Sequence, residues 1–249
     1  MPNWSQNEIA VIGKRKKTID FLNAGIKKDQ LSYEVDQNSL SNFLQIQKYT
    51  MRSWYPMPKT FTDWDTTNSK CNLRDFIFRY KQKEAAKLYN IPRTPEGRKQ
   101  FYSIVQNLSD EALRDFEEDY KKYSDGYDKA VEYQKKTYDC VGWYDYNCKT
   151  LGTKWDATTD IFLSSITEDK ITLRIECQTA WSFPGGWLNS LVKDFPDLDF
   201  ICYAVEESYE YCGYFDAKKS NWEDCQSGGE VDEGYMHQKY MQYCLERGY

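Results

Sequence analysis

The chain has 249 residues, of which 40% are hydrophobic, and a formal net charge of −6. Its 21 tyrosines, 12 phenylalanines and 8 tryptophans provide ample apolar surface for a core, which excludes wholesale disorder. No stretch approaches the ~20 apolar residues that a membrane span needs, and Met1–Gln6 lacks the basic-then-apolar pattern of a signal peptide, so we expect a soluble, cytoplasmic protein.

The N-terminal segment predicts one strand followed by one helix. Glu8–Gly13 is a short apolar run that ends in glycine, which is typical of a strand. Lys16–Asn23 carries apolar residues at helical spacing. Residues 29–75 are polar with scattered aromatics, and we expect Trp54–Pro58 to be extended because proline disfavours the helical conformation of the residue before it.

Residues 70–140 predict a helical insertion. The first helix begins near Leu73 and ends before Pro92. Thr94 is the expected N-cap of the second helix, since a proline follows it at the first helical position. Ser109 is the expected N-cap of a third helix, in which aromatic residues repeat every three or four positions.

Beyond Gly152 the pattern predicts four strands and two helices. The strands are residues 161–166, 171–178, 200–205 and 209–215, and the helices are 187–193 and 234–247. In the second strand, alternate apolar residues from Ile171 to Cys177 share one face, while polar residues, among them Arg174 and Glu176, share the other.

The order of these elements predicts an α+β fold. Without the insertion, the chain reads strand–helix and then strand–strand–helix–strand–strand. This order favours a ferredoxin-like antiparallel sheet with helices on one face. We therefore expect a discontinuous sandwich of residues 1–69 and 141–249, interrupted by the helical insertion at 70–140.

Acidic residues concentrate in the C-terminal third. Residues 150–249 hold 8 Lys/Arg against 18 Asp/Glu, and nine of these acids fall between Glu206 and Glu233. Such a block repels nucleic acid and attracts a basic partner. The predicted partner-binding residues are Glu206, Glu207, Glu210, Tyr209, Tyr211, Tyr214, Trp222 and Trp181.

Catalytic and metal chemistry finds little support in the sequence. His237 is the only histidine, which excludes a metal site with two histidine ligands and leaves a Cys–His pair as a minor alternative. Eight cysteines without a Cys-x-x-Cys motif are typical of reduced structural thiols. A magnesium site is the weaker alternative, formed by Asp156, Asp160, Glu206 and Glu207. We expect no catalytic residues, no metal and no cofactor.

Two other groups of residues are candidates for binding. Thr179, Trp181 and Trp155 could line a groove beside the sheet, although buried structural tryptophans are equally consistent with the pattern. The basic run Lys14–Lys17 at a helix start could contact phosphate.

Several short motifs occur in a distinctive order along the chain. They are Met1-Pro2-Asn3-Trp4 with Asn7, Met57-Pro58, Gly152-Thr153-Lys154-Trp155-Asp156, Thr179-Ala180-Trp181-Ser182 with Pro184, Phe195-Pro196 and the strand that ends in Glu206. Together they resemble plasmid- and phage-encoded proteins with a YubB-type ferredoxin-like domain, in which a cysteine usually stands at the position of Ser5. The resemblance implies the fold and a mobile-element setting, and it supplies no activity.

These observations favour a non-enzymatic inhibitor or adaptor from a phage or plasmid. Its expected partner is a host protein or nucleoprotein complex with a basic surface, such as a CRISPR-type defence complex, which would make the chain an anti-CRISPR protein. No membrane partner is expected. The alternatives are a nucleic-acid-binding protein that uses the basic N-terminal half and a metal-dependent hydrolase that uses the acids.

Overall fold

Seven antiparallel strands form one sheet within the residues that the computed structural model describes, which are 3–26, 31–64, 66–88, 90, 94–208, 210–224 and 232–249. The strands are β1 (Trp4–Lys14), β2 (Tyr49–Thr50), β3 (Thr158–Ile166), β4 (Lys170–Ala180), β5 (Asp199–Glu206), β6 (Cys212–Asp216) and β7 (Asn221–Asp224). Their order across the sheet is β2-β3-β4-β1-β5-β6-β7. The predicted ferredoxin-like α+β fold is confirmed.

The N-terminal strand lies at the centre of the sheet. It pairs with β4 on one side and with β5 on the other, so that Ile9 stands opposite both Ile175 and Cys202. The apolar run that predicted a strand is therefore buried between two neighbours. The edge strands β2 and β7, which the sequence did not predict, are 2 and 4 residues long.

Helices connect and cover the strands. They are α1 (Arg15–Ile26), α2 (Gln37–Ile46), α3 (Met51–Trp54), α4 (Lys59–Asp63), α5 (Leu73–Tyr80), α6 (Gln82–Leu88), α7 (Pro95–Gln106), α8 (Asp110–Tyr138), α9 (Gly142–Thr150), α10 (Gly185–Asp194) and α11 (Glu233–Glu246). Thr94 and Ser109 cap α7 and α8 as predicted, each accepting a backbone N–H with its hydroxyl oxygen. The single helix expected from Leu73 onwards is two, α5 and α6.

The chain divides into two compact units, one of Met1–Met57 with Tyr144–Tyr249 and one of Pro58–Trp143. The second unit begins before residue 70, the boundary expected from the sequence. The physical reason is α4, whose Phe61 ring lies 5.2 Å from the ring of Tyr138 in the same helical unit. Within this unit, α5, α7 and α8 share a core that includes Phe76, Ile77, Val105 and Phe116.

One face of the sheet is covered by α1, α3 and α10. Ile9 and Val11 of β1 point to this side, where Phe21 and Trp187 are fully buried. Trp54 links α3 to α1, since its indole N–H donates to the carbonyl oxygen of Phe21 at 2.9 Å. This face holds the larger of the two cores of the sheet unit.

The opposite face carries α11, which the sequence had placed with the others. Met236, Tyr240 and Cys244 of α11 are buried against Ala10 and Ile12 of β1, because the second half of β1 is apolar on both faces. The first half of β1 is polar on this face, and α11 does not cover it. That uncovered area positions the candidate site.

Candidate functional site

A groove of about 810 Å³ lies between the uncovered sheet face and α11. Residues of β1, β3 and β4 form its floor, among them Gln6, Glu8, Asp160, Glu176 and Gln178. Tyr203 of β5 and His237 of α11 line it as well, and their rings lie 5.1 Å apart. The groove is therefore open, and it mixes polar and apolar side chains with acidic ones.

Three acidic residues form a row across the floor of this groove. In the strand register, Glu8 of β1 stands directly opposite Glu176 of β4, and Glu176 stands directly opposite Asp160 of β3. All three line the groove, so their side chains share one face. Like charges directly opposite each other in a sheet are destabilising, so the row costs the free protein stability. We call Glu8, Glu176 and Asp160 the acidic row.

Arg174 partly offsets this charge, and His237 lies beside it. The Nε atom of Arg174 lies 3.1 Å from a carboxylate oxygen of Glu176, and Nε2 of His237 lies 3.6 Å from a carboxylate oxygen of Glu8. The Arg174–Glu176 pair is about 40% exposed on both sides, and exposed ion pairs contribute little. The groove thus keeps a negative potential that suits a cationic ligand.

A cluster of tryptophans adjoins the groove. Trp4 lines the groove, and its ring lies 5.9 Å from that of Trp155. Nζ of Lys154 lies 4.6 Å from the ring centroids of both Trp155 and Trp181, and 5.9 Å from that of Tyr144. We call Tyr144, Trp155 and Trp181 the aromatic cage.

The backbone around the cage is held by buried polar contacts. Trp181 has φ of +72°, a left-handed conformation that is a genuine outlier for a bulky residue. Its N–H donates to the carbonyl oxygen of Asn3 at 2.8 Å. At the preceding residue, Ala180, the hydroxyl of Thr153 donates to the carbonyl oxygen and accepts from the backbone N–H. These bonds hold Trp181 at the end of β4 with its indole turned outward.

A close approach of two backbone segments sets the position of Trp155. Gly152 has φ of +80°, and a Cβ atom there would lie 2.8 Å from the backbone nitrogen of Gly186. Glycine is required at this point for both reasons. The segment that follows is fixed by Asn147, whose side-chain amide donates to the carbonyl oxygen of Lys154 at 2.8 Å.

The predicted acidic surface does not assemble around Glu206. This residue ends β5 on the helix-covered face opposite Ser5 and is 1% exposed, so the expectation that it faces solvent is wrong. Its carboxylate accepts the backbone N–H groups of Ser208 and Glu210. Glu207 and Glu210 are exposed, and Tyr209 lies outside the described residues.

The predicted aromatic residues lie on both faces of the sheet. Tyr211 and Trp222 pack against Phe183, and the Trp222 ring stacks on the Phe183 ring with 4.9 Å between their centroids. Burial raises the pKa of Tyr211 to about 12. Tyr214 packs on the other face against Tyr243 at 5.2 Å. The structure therefore brings Trp181 together with Trp155, and not with the other predicted aromatic residues.

The basic run at the start of α1 is partly engaged within the protein. Arg15 donates to the carbonyl oxygens of Tyr33 and Thr167, and Lys17 forms an ion pair with Asp197 at 2.7 Å. Lys14 and Lys16 are exposed, so the run keeps positive charge at the surface.

The groups considered for metal chemistry do not converge in the described part of the chain. Among those residues no cluster of three His, Cys, Asp or Glu side chains could hold a metal ion. The cysteines Cys71, Cys148, Cys177, Cys202 and Cys244 are free thiols. No helix in the same ranges is both long and apolar enough to span a membrane.

The acidic row was not found from the sequence. Alternation in β4 had placed Glu176 on the polar face, and Asp160 had been considered only as a metal ligand. Glu8 appeared as the start of an apolar strand. The signal that joins them is the strand register, which links residues far apart in the chain.

Comparison with known proteins finds a family model that matches part of the chain. Residues 150–243 match the model of the family described as the ferredoxin-like domain in Api92-like protein. A crystal structure of a protein api92 from Yersinia pseudotuberculosis aligns with 12% sequence identity and a TM-score of 0.39, covering 92% of this chain and 100% of that one. No curated protein matches the chain.

Proposed function

We propose that this chain is a non-enzymatic binding protein whose acidic groove receives a basic segment of a partner protein. The acidic row carries this proposal. Three carboxylates placed directly opposite one another reduce the stability of the sheet, and a cationic ligand would relieve that repulsion on binding. Binding surfaces commonly retain such costs because function requires them.

The finer proposal concerns the setting and the partner. The motifs that resemble YubB-type proteins, from Met1 to Glu206, support an origin in a phage or plasmid and action in the cytoplasm of the host. An acidic groove is complementary to surfaces that normally hold nucleic acid, which are basic. We therefore propose inhibition of a nucleic-acid-handling host defence complex of the CRISPR type, as an anti-CRISPR protein would exert it.

The experiment compares two double charge reversals. Asp160→Lys with Glu176→Lys alters the acidic row, and Glu207→Lys with Glu210→Lys alters exposed acids outside it. Each variant is expressed in host cells that carry an active CRISPR-type interference system, and survival of a targeted plasmid is measured. We expect protection by the wild-type chain and by the second variant, and loss of protection by the first.

Association kinetics separate binding from the cellular effect. With the isolated defence complex, reversal of the acidic row should slow association at low salt and flatten its salt dependence, because steering by opposite charge is lost. A wild-type chain that neither protects the plasmid nor binds the complex would refute the inhibitor function. Loss of binding only in the Glu207 and Glu210 variant would move the binding surface to that segment.

A further inference from the structure

The aromatic cage already holds a cation. The ammonium group of Lys154 lies within 6 Å of three ring centroids, those of Trp155, Trp181 and Tyr144. Ring faces attract cations at this distance, and such contacts strengthen when they are shielded from water. The geometry therefore matches a binding site for a positively charged group, occupied in the free protein by a side chain of the same chain.

The cage is exposed and its rings are held in place. Trp155 is 36% and Trp181 46% exposed, and Trp4 beside them is 37% exposed. Contiguous exposed aromatic patches mark interaction sites in soluble proteins, and tryptophan is enriched at the centres of interfaces. The left-handed backbone of Trp181 adds a second sign, since conformational strain of this kind concentrates at binding sites.

Charge around the cage favours a cationic ligand over an anion or a nucleobase. Trp4 belongs both to the tryptophan cluster and to the groove that contains the acidic row. A segment bound in the groove would thus place its neighbouring side chains at the cage. Because the groove repels phosphate and attracts basic groups, the side chain that reaches the cage belongs to a basic partner.

Guanidinium is the cation that suits this cage best. It is planar, lies flat on an aromatic face and is more weakly hydrated than an ammonium group. An arginine of the partner can therefore displace Lys154, whose ammonium then returns to water. Lys154 would thus compete with the arginine of the partner for the aromatic cage.

We propose that Tyr144, Trp155 and Trp181 form a binding site for an arginine side chain of the partner, and that Lys154 occupies this site in the free protein. This inference rests on the proposed function, since the arginine is part of the basic segment that binds the acidic groove. Beyond the groove, the inference specifies an arginine in the partner and a competition between that arginine and Lys154 for the cage.

The test uses the full chain and acetyl-arginine amide as the probe. Binding is followed by the NMR signals of the Trp155 and Trp181 indole N–H groups, assigned by Trp→Phe substitution. Lys154→Met keeps the length of the side chain and removes its charge, so it should bind the probe about three- to tenfold more tightly than the wild-type chain. Lys99→Met, at an exposed position in the helical unit, is the matched control and should leave affinity unchanged.

Two controls make the result decisive. The citrulline analogue, a neutral isostere of the probe, should not shift the two indole signals, and Trp181→Leu should abolish the response to the arginine probe. Unchanged or weaker binding by folded Lys154→Met would overturn the inference, as would equal shifts with the citrulline analogue. The far-ultraviolet circular dichroism of each variant establishes that it is folded.

The outcome can be separated from that of the proposed function. If the arginine probe fails to reach the cage while reversal of the acidic row still abolishes partner binding, the cage inference fails and the groove remains. If the probe binds the cage but reversal of the acidic row leaves partner binding unchanged, the proposed function of the groove fails. The cage then remains a binding site for arginine.

Discussion

Glu8 and Glu176 stand directly opposite each other on the two central strands β1 and β4, on the face of the sheet that α11 leaves open. Glu176 meets a second carboxylate, Asp160, on its other side. Arg174 forms an ion pair with Glu176, and Nε2 of His237 lies 3.6 Å from a carboxylate oxygen of Glu8. The free protein is therefore less stable than the same sheet with a neutral row.

Neutralising Asp160 should stabilise the free protein. Asp160→Asn removes one directly opposed pair of like charges and should raise the free energy of unfolding by about 0.2–1 kcal/mol. Urea denaturation at low salt measures this change, and high salt should shrink it because exposed charges are screened. Glu207→Gln, at an exposed position outside the row, should have little effect. A less stable Asp160→Asn protein would contradict the repulsive arrangement.

Charge reversal should affect the stability of the protein very differently at the two neighbouring residues Glu206 and Glu207. Glu206→Lys places an ammonium group at a site that is 1% exposed and removes an acceptor for two backbone N–H groups, so we expect a loss of about 3–5 kcal/mol. Glu207→Lys changes an exposed residue and should shift stability by less than about 0.5 kcal/mol. Thermal unfolding of the two variants gives the comparison. Equal stability would show that Glu206 reaches solvent.

The backbone strain at Trp181 predicts an unusual order of stability for two variants that lack the indole. Trp181→Gly and Trp181→Ala both remove the indole, but only alanine keeps the steric penalty of φ at +72°. The glycine variant should therefore be the more stable by about 1 kcal/mol, the reverse of the order found in ordinary strands. Chemical denaturation of the pair measures the difference. A more stable alanine variant would place Trp181 in a different backbone conformation.

Native-state alkylation should distinguish the cysteines by burial. Burial raises the pKa of Cys177 to about 12 and that of Cys202 well above its usual range, so both stay protonated near pH 8. Because the thiolate is the reactive form, iodoacetamide should modify exposed Cys148 first and the two buried thiols only after denaturant is added. Peptide mapping by mass spectrometry follows each site. Early modification of Cys177 would contradict its placement in the core.

The sequence predicted the longer elements because their signals are local. The apolar alternation of β4 and the caps at Thr94 and Ser109 lie within one turn or strand. The short helices α3 and α4, of 4 and 5 residues, were missed because packing rather than propensity stabilises them. Trp54 illustrates this, since it stacks on Phe21 at 4.9 Å although its local sequence resembles an extended segment.

The candidate site depends on contacts that no local pattern encodes. High acid content around Glu206 suggested an exposed surface, yet the strand register turns this residue into the helix-covered face. Trp155 and Trp181 were expected beside the sheet, but the place of Lys154 among them follows from the positive φ of Trp181 and the glycine contact at Gly152. Such features require the tertiary structure.

The central position of β1 has a consequence for synthesis of the chain. β1 is made before its neighbours β4 and β5, which begin at Lys170 and Asp199. The ribosome must add about 155 residues before β4 starts, which takes roughly 8–30 s at elongation rates of about 5–20 residues per second. During that interval the apolar run of β1 has neither neighbour available, so it is the segment of the nascent chain that a ribosome-associated chaperone would need to shield.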